Sequence, residues 1–304
     1  MQCRVVIAGQ FNNKTHCHPR RFASRMTGVG RFLIDELAFQ IPNNKMKLKL
    51  LSAFLLIISA SQSFANNMTL SFDRSETRKD GLARNFRDLS QFNLNAIASA
   101  EFSENELMAI KKKFPNDKII IVDLRRESHA LINGKSASWE GEENNKKEIS
   151  EILLDEKSKV DFIRKNPKNN QLTSLNPKIT ELKSIMTEEE LVKKNGFEYK
   201  RFAILDRAIP DQNQFDAMVN FIKTLPEDKK LYIHCAAGKG RTTTFLVIYD
   251  IIKNGNKVSL SDIIKRQKEA GGAALDVVDE ETSNRSEFVK KRLEMLTKLH
   301  DSVR

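Results

Sequence analysis

The sequence predicts an α/β sandwich with a mostly parallel central sheet flanked by helices. Three observations carry that expectation. Ile119-Ile120-Ile121-Val122 is a β-branched run of strand length that ends in a dense polar cluster: Asp123, Arg125, Arg126, Glu127, Ser128 and His129. Open α/β sheets gather ligands just past the C-terminal ends of their strands. Leu231-Tyr232-Ile233 reads as a second strand, running through a glycine-bearing loop into an apolar helix marked by Phe245, Leu246, Ile248, Tyr249 and Ile252. Phe215, Met218, Val219 and Ile222 fall on one helical face between the two strands. Strands that alternate with helices imply parallel pairing.

From the beginning of the chain, the first clear signal starts at Met46. Lys47 and Lys49 precede an apolar run from Leu50 to Ile58, and Ser63-Phe64-Ala65 follows with small residues at its ends. That order is the order of a secretory signal peptide, with cleavage expected after Ala65. The run is shorter than the roughly 20 residues that a membrane-spanning helix needs. Such a signal belongs at an N-terminus, so residues 1–45 are expected to be a gene-model extension or a disordered basic arm, and 46–65 the signal. The domain expected to fold is 66–304, exported to a periplasmic or secreted location, with delivery into another cell a further option.

This division changes the meaning of the charge. The whole chain carries +11, but its first 65 residues hold nine Lys and Arg against two acidic residues, leaving +4 for 66–304. A nucleic-acid partner loses most of its support at that value. With 40% hydrophobic and 30% charged residues, the chain is that of a globular protein able to bury a core. Cys3 and Cys17 also lie in the first 45 residues, so Cys235 stands alone in the exported part and calls for a reason.

The remaining elements follow in order. Residues 66–84 are polar and read as a leading arm; Phe102 to Phe114 reads as a helix; Asn133-Gly134 marks a turn. Residues 140–200 are rich in Lys, Asn and acidic residues, with modest amphipathic stretches at Ile149–Leu154 and Leu182–Val192, and read as an inserted or peripheral segment. Phe202–Leu205 reads as a short strand, and Leu225-Pro226 ends the helix that Pro210 opens.

The chemistry lies in the loop His234-Cys235-Ala236-Ala237-Gly238-Lys239-Gly240-Arg241. If a strand ends at Cys235 and a helix begins near Arg241, the intervening amides curl around one centre. Gly238 and Gly240 permit the turns, and the helix N-terminus adds partial positive charge, so the loop suits an oxyanion. Arg241 supplies a planar fork for two phosphate oxygens. The same field favours a thiolate at Cys235, and Thr242 is placed to donate to its sulfur. Asp206, 29 residues upstream between a strand and a helix, is placed to protonate a leaving oxygen.

His-Cys-x-x-Gly-x-x-Arg-Thr resembles the signature of the protein tyrosine phosphatase superfamily. With Thr242-Thr243-Thr244, Asn85-Phe86-Arg87, Val122-Asp123-Leu124-Arg125, Glu127-Ser128-His129 and Trp139, the chain is similar to the protein-tyrosine-phosphatase-like inositol polyphosphatases, the cysteine phytases. The resemblance implies a protein tyrosine phosphatase-like sandwich and hydrolysis of phosphomonoesters through a phosphocysteine. It places the nucleophile at Cys235, phosphate binding at Arg241 and the general acid at Asp206. It adds Arg87 and Asp123 near the substrate, together with a basic residue of the C-terminal helix, either Lys290 or Lys291. Arg207 stands where that family usually has His, which adds a cation beside an anionic substrate. Lys239 inside the loop resembles lipid phosphatases acting on polyphosphorylated headgroups. The implied partner is a polyanionic inositol phosphate or a phosphoinositide headgroup, with no cofactor or metal.

Plainer readings stand beside these. Asp206 as a helix cap, Asp123 as a partner orienting Arg125 or Arg241, and His129 as a buried polar partner are all open. His234 is expected to be a structural hydrogen-bonder behind the loop. For the whole chain the alternatives are a phosphoinositide or protein tyrosine phosphatase acting in another cell, and a phosphate-binding module without turnover.

Overall fold

The computed structural model describes residues 69–74, 76–140, 148–168, 172, 175–277 and 283–304, so the expected extension and signal peptide lie outside the described residues. The central sheet has five strands in the order β2-β3-β9-β4-β8. They are β2 (Arg87–Asp88), β3 (Ala96–Ser99), β4 (Lys118–Arg125), β8 (Glu198–Ile204) and β9 (Lys229–His234). β3, β9, β4 and β8 run parallel, and β2 joins the edge antiparallel.

Burial on both faces explains why the central strands read as continuous apolar runs. Ile120, Val122 and Leu124 of β4, with Leu231 and Ile233 of β9, face one core. Ile119 and Ile121, with Tyr232, face the other. Helices α4 (Gln212–Lys223), α5 (Gly240–Asn254), α6 (Leu260–Glu269) and α7 (Ser283–Val303) pack on the first face. Helices α1 (Glu104–Lys113) and α3 (Glu188–Lys194) pack on the second. Ser103 opens α1 with a reciprocal capping box to Glu106, and Thr187 does the same for α3 with Glu190.

A second, four-stranded antiparallel sheet has the order β1-β6-β5-β7. Its strands are β1 (Thr69–Phe72), β5 (His129–Ile132), β6 (Lys135–Glu140) and β7 (Ile185–Met186), with α2 (Ile149–Lys165) packed against it through Val160 and Ile163. Asn133 and Gly134, at φ 50° and 76°, form the left-handed turn that joins β5 to β6, as the Asn-Gly pair predicts. Thr69–Phe72, read from sequence as part of a polar arm, is instead a strand whose Leu70 is buried. The 140–200 segment supplies α2, β7 and α3 outside the central sheet and enters that sheet at Glu198, the first residue of β8.

On the second face, apolar side chains give way to charge at the C-terminal ends of the strands. β4 continues Ile119 and Ile121 with Asp123 and Arg125, while β9 continues Tyr232 with His234, and all three charged or titratable groups are buried. The loop after β9 lies directly beyond them.

Candidate active site

The segment Cys235–Lys239 links β9 to α5, as its residues predict. Gly238 has φ 66°, and a Cβ there would stand 2.3 Å from the Ser99 carbonyl oxygen and 2.5 Å from the Ala100 nitrogen. Only glycine lets the loop lie against the end of β3. Gly240 is different, since its φ is not left-handed and a Cβ would meet nothing within 4 Å. Its expected role in turning the chain is therefore not needed.

Cys235 is a free thiol, 3% exposed. Burial pushes it up, but the Arg241 charge, the Thr242 hydroxyl and the backbone amides of Thr242 and Ala237 outweigh burial and hold it below an ordinary thiol. The Thr242 hydroxyl has no other hydrogen-bond partner. Nothing in the loop competes with the sulfur for it.

Arg241 is buried and held from behind. Its two terminal nitrogens donate to the two Glu127 carboxylate oxygens at 2.7 and 2.8 Å, and one also donates to the Ile204 carbonyl at 3.0 Å. The nitrogen on the other side lies 3.1 Å from Asp206 Oδ1, and Nε has no partner. The edge formed by Nε and that nitrogen is what remains for an anion, and Asp206 stands at one corner of it.

Asp206 lies beyond β8 with its carboxylate 63% exposed, and the helix after it is capped by Asp211, so the capping alternative falls away. Arg207, at φ 56°, extends into solvent beside it, with Nε 3.9 Å from Asp206 Oδ2. Arg87 is buried; one nitrogen donates to the Gly238 carbonyl at 2.9 Å, while Nε and the other terminal nitrogen have no partner. Burial lowers its guanidinium to about 10, and Cys235 opposes that fall. Lys239 donates to the Gly271 carbonyl at 2.7 Å. Burial first, then the Arg87 and Arg84 charges, lower its ammonium, so three cations gather on this side of the loop.

One expectation is corrected. Asp123 does not reach a substrate position, because it is fully buried beneath the site. Its carboxylate accepts from the Arg125 amide at 2.7 Å and the Tyr199 hydroxyl at 2.8 Å, and lies 3.0 Å from Arg201 Nε. Of the two lysines of α7 expected near the substrate, Lys290 and Lys291, both are exposed and Lys291 pairs with Glu287 at 2.7 Å; the neighbouring Arg292 is buried, 4.3 Å from the Phe288 ring centre.

His234 and His129 belong to a buried ionic network behind the loop. Glu188 bridges them, accepting from His234 Nε2 at 2.9 Å and His129 Nε2 at 3.0 Å. Burial and Arg125 push His129 down, yet Glu156 and Asp123 raise it to about 9. His234 is likewise raised against burial, by Glu188 and Glu101. Arg125 pairs with Glu101, Asp73 and Glu127, and Arg201 with Glu156. These carboxylates and imidazoles answer one another and two arginines, which makes the cluster a positioning network. Sequence reasoning placed Glu127 in the polar cluster without seeing that it grips Arg241, and missed Glu188, Glu156 and Arg201.

The PTP-like phytase family model, described by inositol hexakisphosphate, matches residues 122–253, which span the end of β4, the Asp206 segment, the loop and most of α5. The solved PTP-like phytase of Bdellovibrio bacteriovorus is 29% identical, covers 78% of this chain and 88% of its own, and superposes with a TM-score of 0.67. Over these residues the chain is similar to the PTP-like phytases. The tandemly repeated PTP-like phytase of Mitsuokella multacida, and a PTP-like myo-inositol phosphatase of the same organism in complex with myo-inositol-(1,3,4,5)-tetrakisphosphate, are each 29% identical over 77% of this chain with a TM-score of 0.66. Among curated proteins, the chain is 26% identical over 71% of its length to effector protein hopD2 of Pseudomonas syringae pv. tomato. It is also 41% identical over 76 residues to AvrBs1.1 of Xanthomonas campestris pv. campestris, covering 73% of that protein. The chain spans about half of hopD2 (48%) and of the Mitsuokella protein (46%).

Proposed function

We propose that this chain is a cysteine-dependent phosphomonoester hydrolase acting on inositol polyphosphates. The observation that carries the reading is Cys235, its thiol lowered below the ordinary value, with Arg241 and the loop amides around its sulfur. The Cys235 thiolate attacks phosphorus, the bond from phosphorus to the inositol oxygen breaks, and that oxygen takes a proton from Asp206. Water then attacks the phosphocysteine, Asp206 takes the proton back, and phosphate leaves. A phosphate gripping the Nε edge of Arg241 displaces the Asp206 carboxylate from it, which frees Asp206 to face the leaving oxygen. Arg87, Lys239 and Arg207 offer charge to the other phosphates of a crowded substrate.

A second reading is a phosphoinositide or phosphotyrosine phosphatase delivered into another cell, supported by the likeness to an effector protein. Export through residues 46–65 goes with either reading. Among the described residues no helix is long and apolar enough to cross a membrane. Export is tested by mutating the Met46 codon, which is expected to abolish expression of the exported protein.

The deciding assay is phosphate release from inositol hexakisphosphate, a soluble phosphoinositide and a phosphotyrosine peptide, with Cys235→Ser and Asp206→Asn beside the wild type. We expect inositol hexakisphosphate to be the best substrate, Cys235→Ser to abolish release, and Asp206→Asn to slow it by roughly 100-fold or more. Preference for the lipid or the peptide would move the assignment to the second reading. No release from a folded protein would leave only a phosphate-binding module.

A further inference from the structure

Three successive carbonyls of the catalytic loop are each taken by a side chain from one short segment far away in sequence. Arg84 approaches the Ala236 carbonyl at 3.5 Å, Asn85 Nδ2 donates to the Ala237 carbonyl at 2.9 Å, and Arg87 donates to the Gly238 carbonyl at 2.9 Å. The Glu101 amide also donates to the Ala236 carbonyl at 3.3 Å, and the Ala100 amide ties the segment down by donating to the Arg84 carbonyl at 2.8 Å. Asn85 sits at φ 58°, a left-handed position that Asn tolerates better than most residues.

We propose that Asn85, flanked by Arg84 and Arg87, is a positioning residue that aims the amides of the catalytic loop at the anion. The loop peptides are trans, and in a trans peptide the C=O and N–H point to opposite sides. Holding the carbonyls of Ala236, Ala237 and Gly238 outward therefore turns the amides of Ala237, Gly238 and Lys239 inward. The Ala237 amide already acts on the Cys235 sulfur. Of the three clamping side chains, Asn85 is the uncharged one, so removing it changes loop orientation without removing a cation from the site. The inference rests on the loop being an oxyanion cradle, as proposed above.

The test is alkylation of Cys235 by iodoacetate in the full chain, followed against pH and against added inorganic phosphate. Asn85→Gly keeps the left-handed backbone and removes the donor. We expect it to need roughly 3- to 10-fold more phosphate for half-protection, and its alkylation curve to move to higher pH, with little change in unfolding temperature. Asn93→Gly, at φ 58° with its backbone capping a different turn, is the matched control and is expected to behave as wild type. If Asn85→Gly does not fold, Asn85→Asp keeps the side chain's shape, sets an acceptor against the Ala237 carbonyl, and is expected to shift both readouts in the same direction. Wild-type protection with an unchanged Asn85 variant overturns the clamp alone. Absence of phosphate protection in the wild type overturns the cradle and the clamp together.

Discussion

Replacing Gly238 by Ala tests the claim that the end of β3 shapes the catalytic loop. A left-handed φ of 66° costs a non-glycine residue about 1–2 kcal/mol. The new Cβ would also lie 2.3 Å from a backbone oxygen and 2.5 Å from a backbone nitrogen, neither of which can rotate away. Reaching an ordinary contact requires the loop and strand to part by about 1 Å, at a cost of about 1–3 kcal/mol. The sum is about 2–5 kcal/mol, which at roughly 2–4 °C per kcal/mol predicts an unfolding midpoint lowered by roughly 4–20 °C. Gly240→Ala is the internal comparison, because it meets no atom within 4 Å and replaces a poor helix former at the first residue of α5. Its midpoint is expected to stay level or rise slightly. Thermal unfolding followed by circular dichroism would measure both. Equal shifts for the two variants, or no shift for Gly238→Ala, would refute the argument.

The ionic network makes two further predictions. His129, raised to about 9, contributes stability that is complete below its unfolded value near 6.5 and is lost as pH rises through about 9; His234 is raised in the same sense. Glu188→Gln should therefore destabilise by about 3–5 kcal/mol near pH 7, with the gap to wild type narrowing above pH 9 in urea titrations; a gap independent of pH would contradict it. Glu127→Gln should free the back of Arg241 and weaken phosphate protection of Cys235 from alkylation by roughly tenfold, while unchanged protection would mean that Arg241 holds its place without Glu127.

The loop and its flanking strand and helix were legible in the sequence because their signal is local. Strand, glycine, arginine and helix follow one another within a few residues, and both faces of β9 are apolar. The placement of Asp206 beside Arg241 was legible from its position between a strand and a helix, while its part as acid belongs to the proposed function. The second sheet was not, because Ser136 and Ser138 face Asp73 and Arg125 and interrupt its apolar pattern. Glu156 and Glu188 sit in charge-rich stretches that read as solvated surface, and only pairing across 27 to 59 residues shows them buried. Asp123 was misplaced for the converse reason. A carboxylate at the end of a buried strand looks like a site residue until the side that it faces is known. The Asn85 contact spans 152 residues and leaves no local trace.

The buried network also bears on how this domain can be cut. It draws Asp123 and Arg125 from β4, Arg201 from β8 and His234 from β9, but His129, Glu156 and Glu188 come from β5, α2 and α3. Residues 126–195 therefore cannot be trimmed away to leave a minimal catalytic unit, however peripheral their fold. Such a deletion would strand the Arg201 guanidinium and the His234 imidazole with half of their countercharges gone. Transplanting the loop onto a smaller parallel sheet would meet the same obstacle, unless apolar residues replaced the arginine and the histidine together.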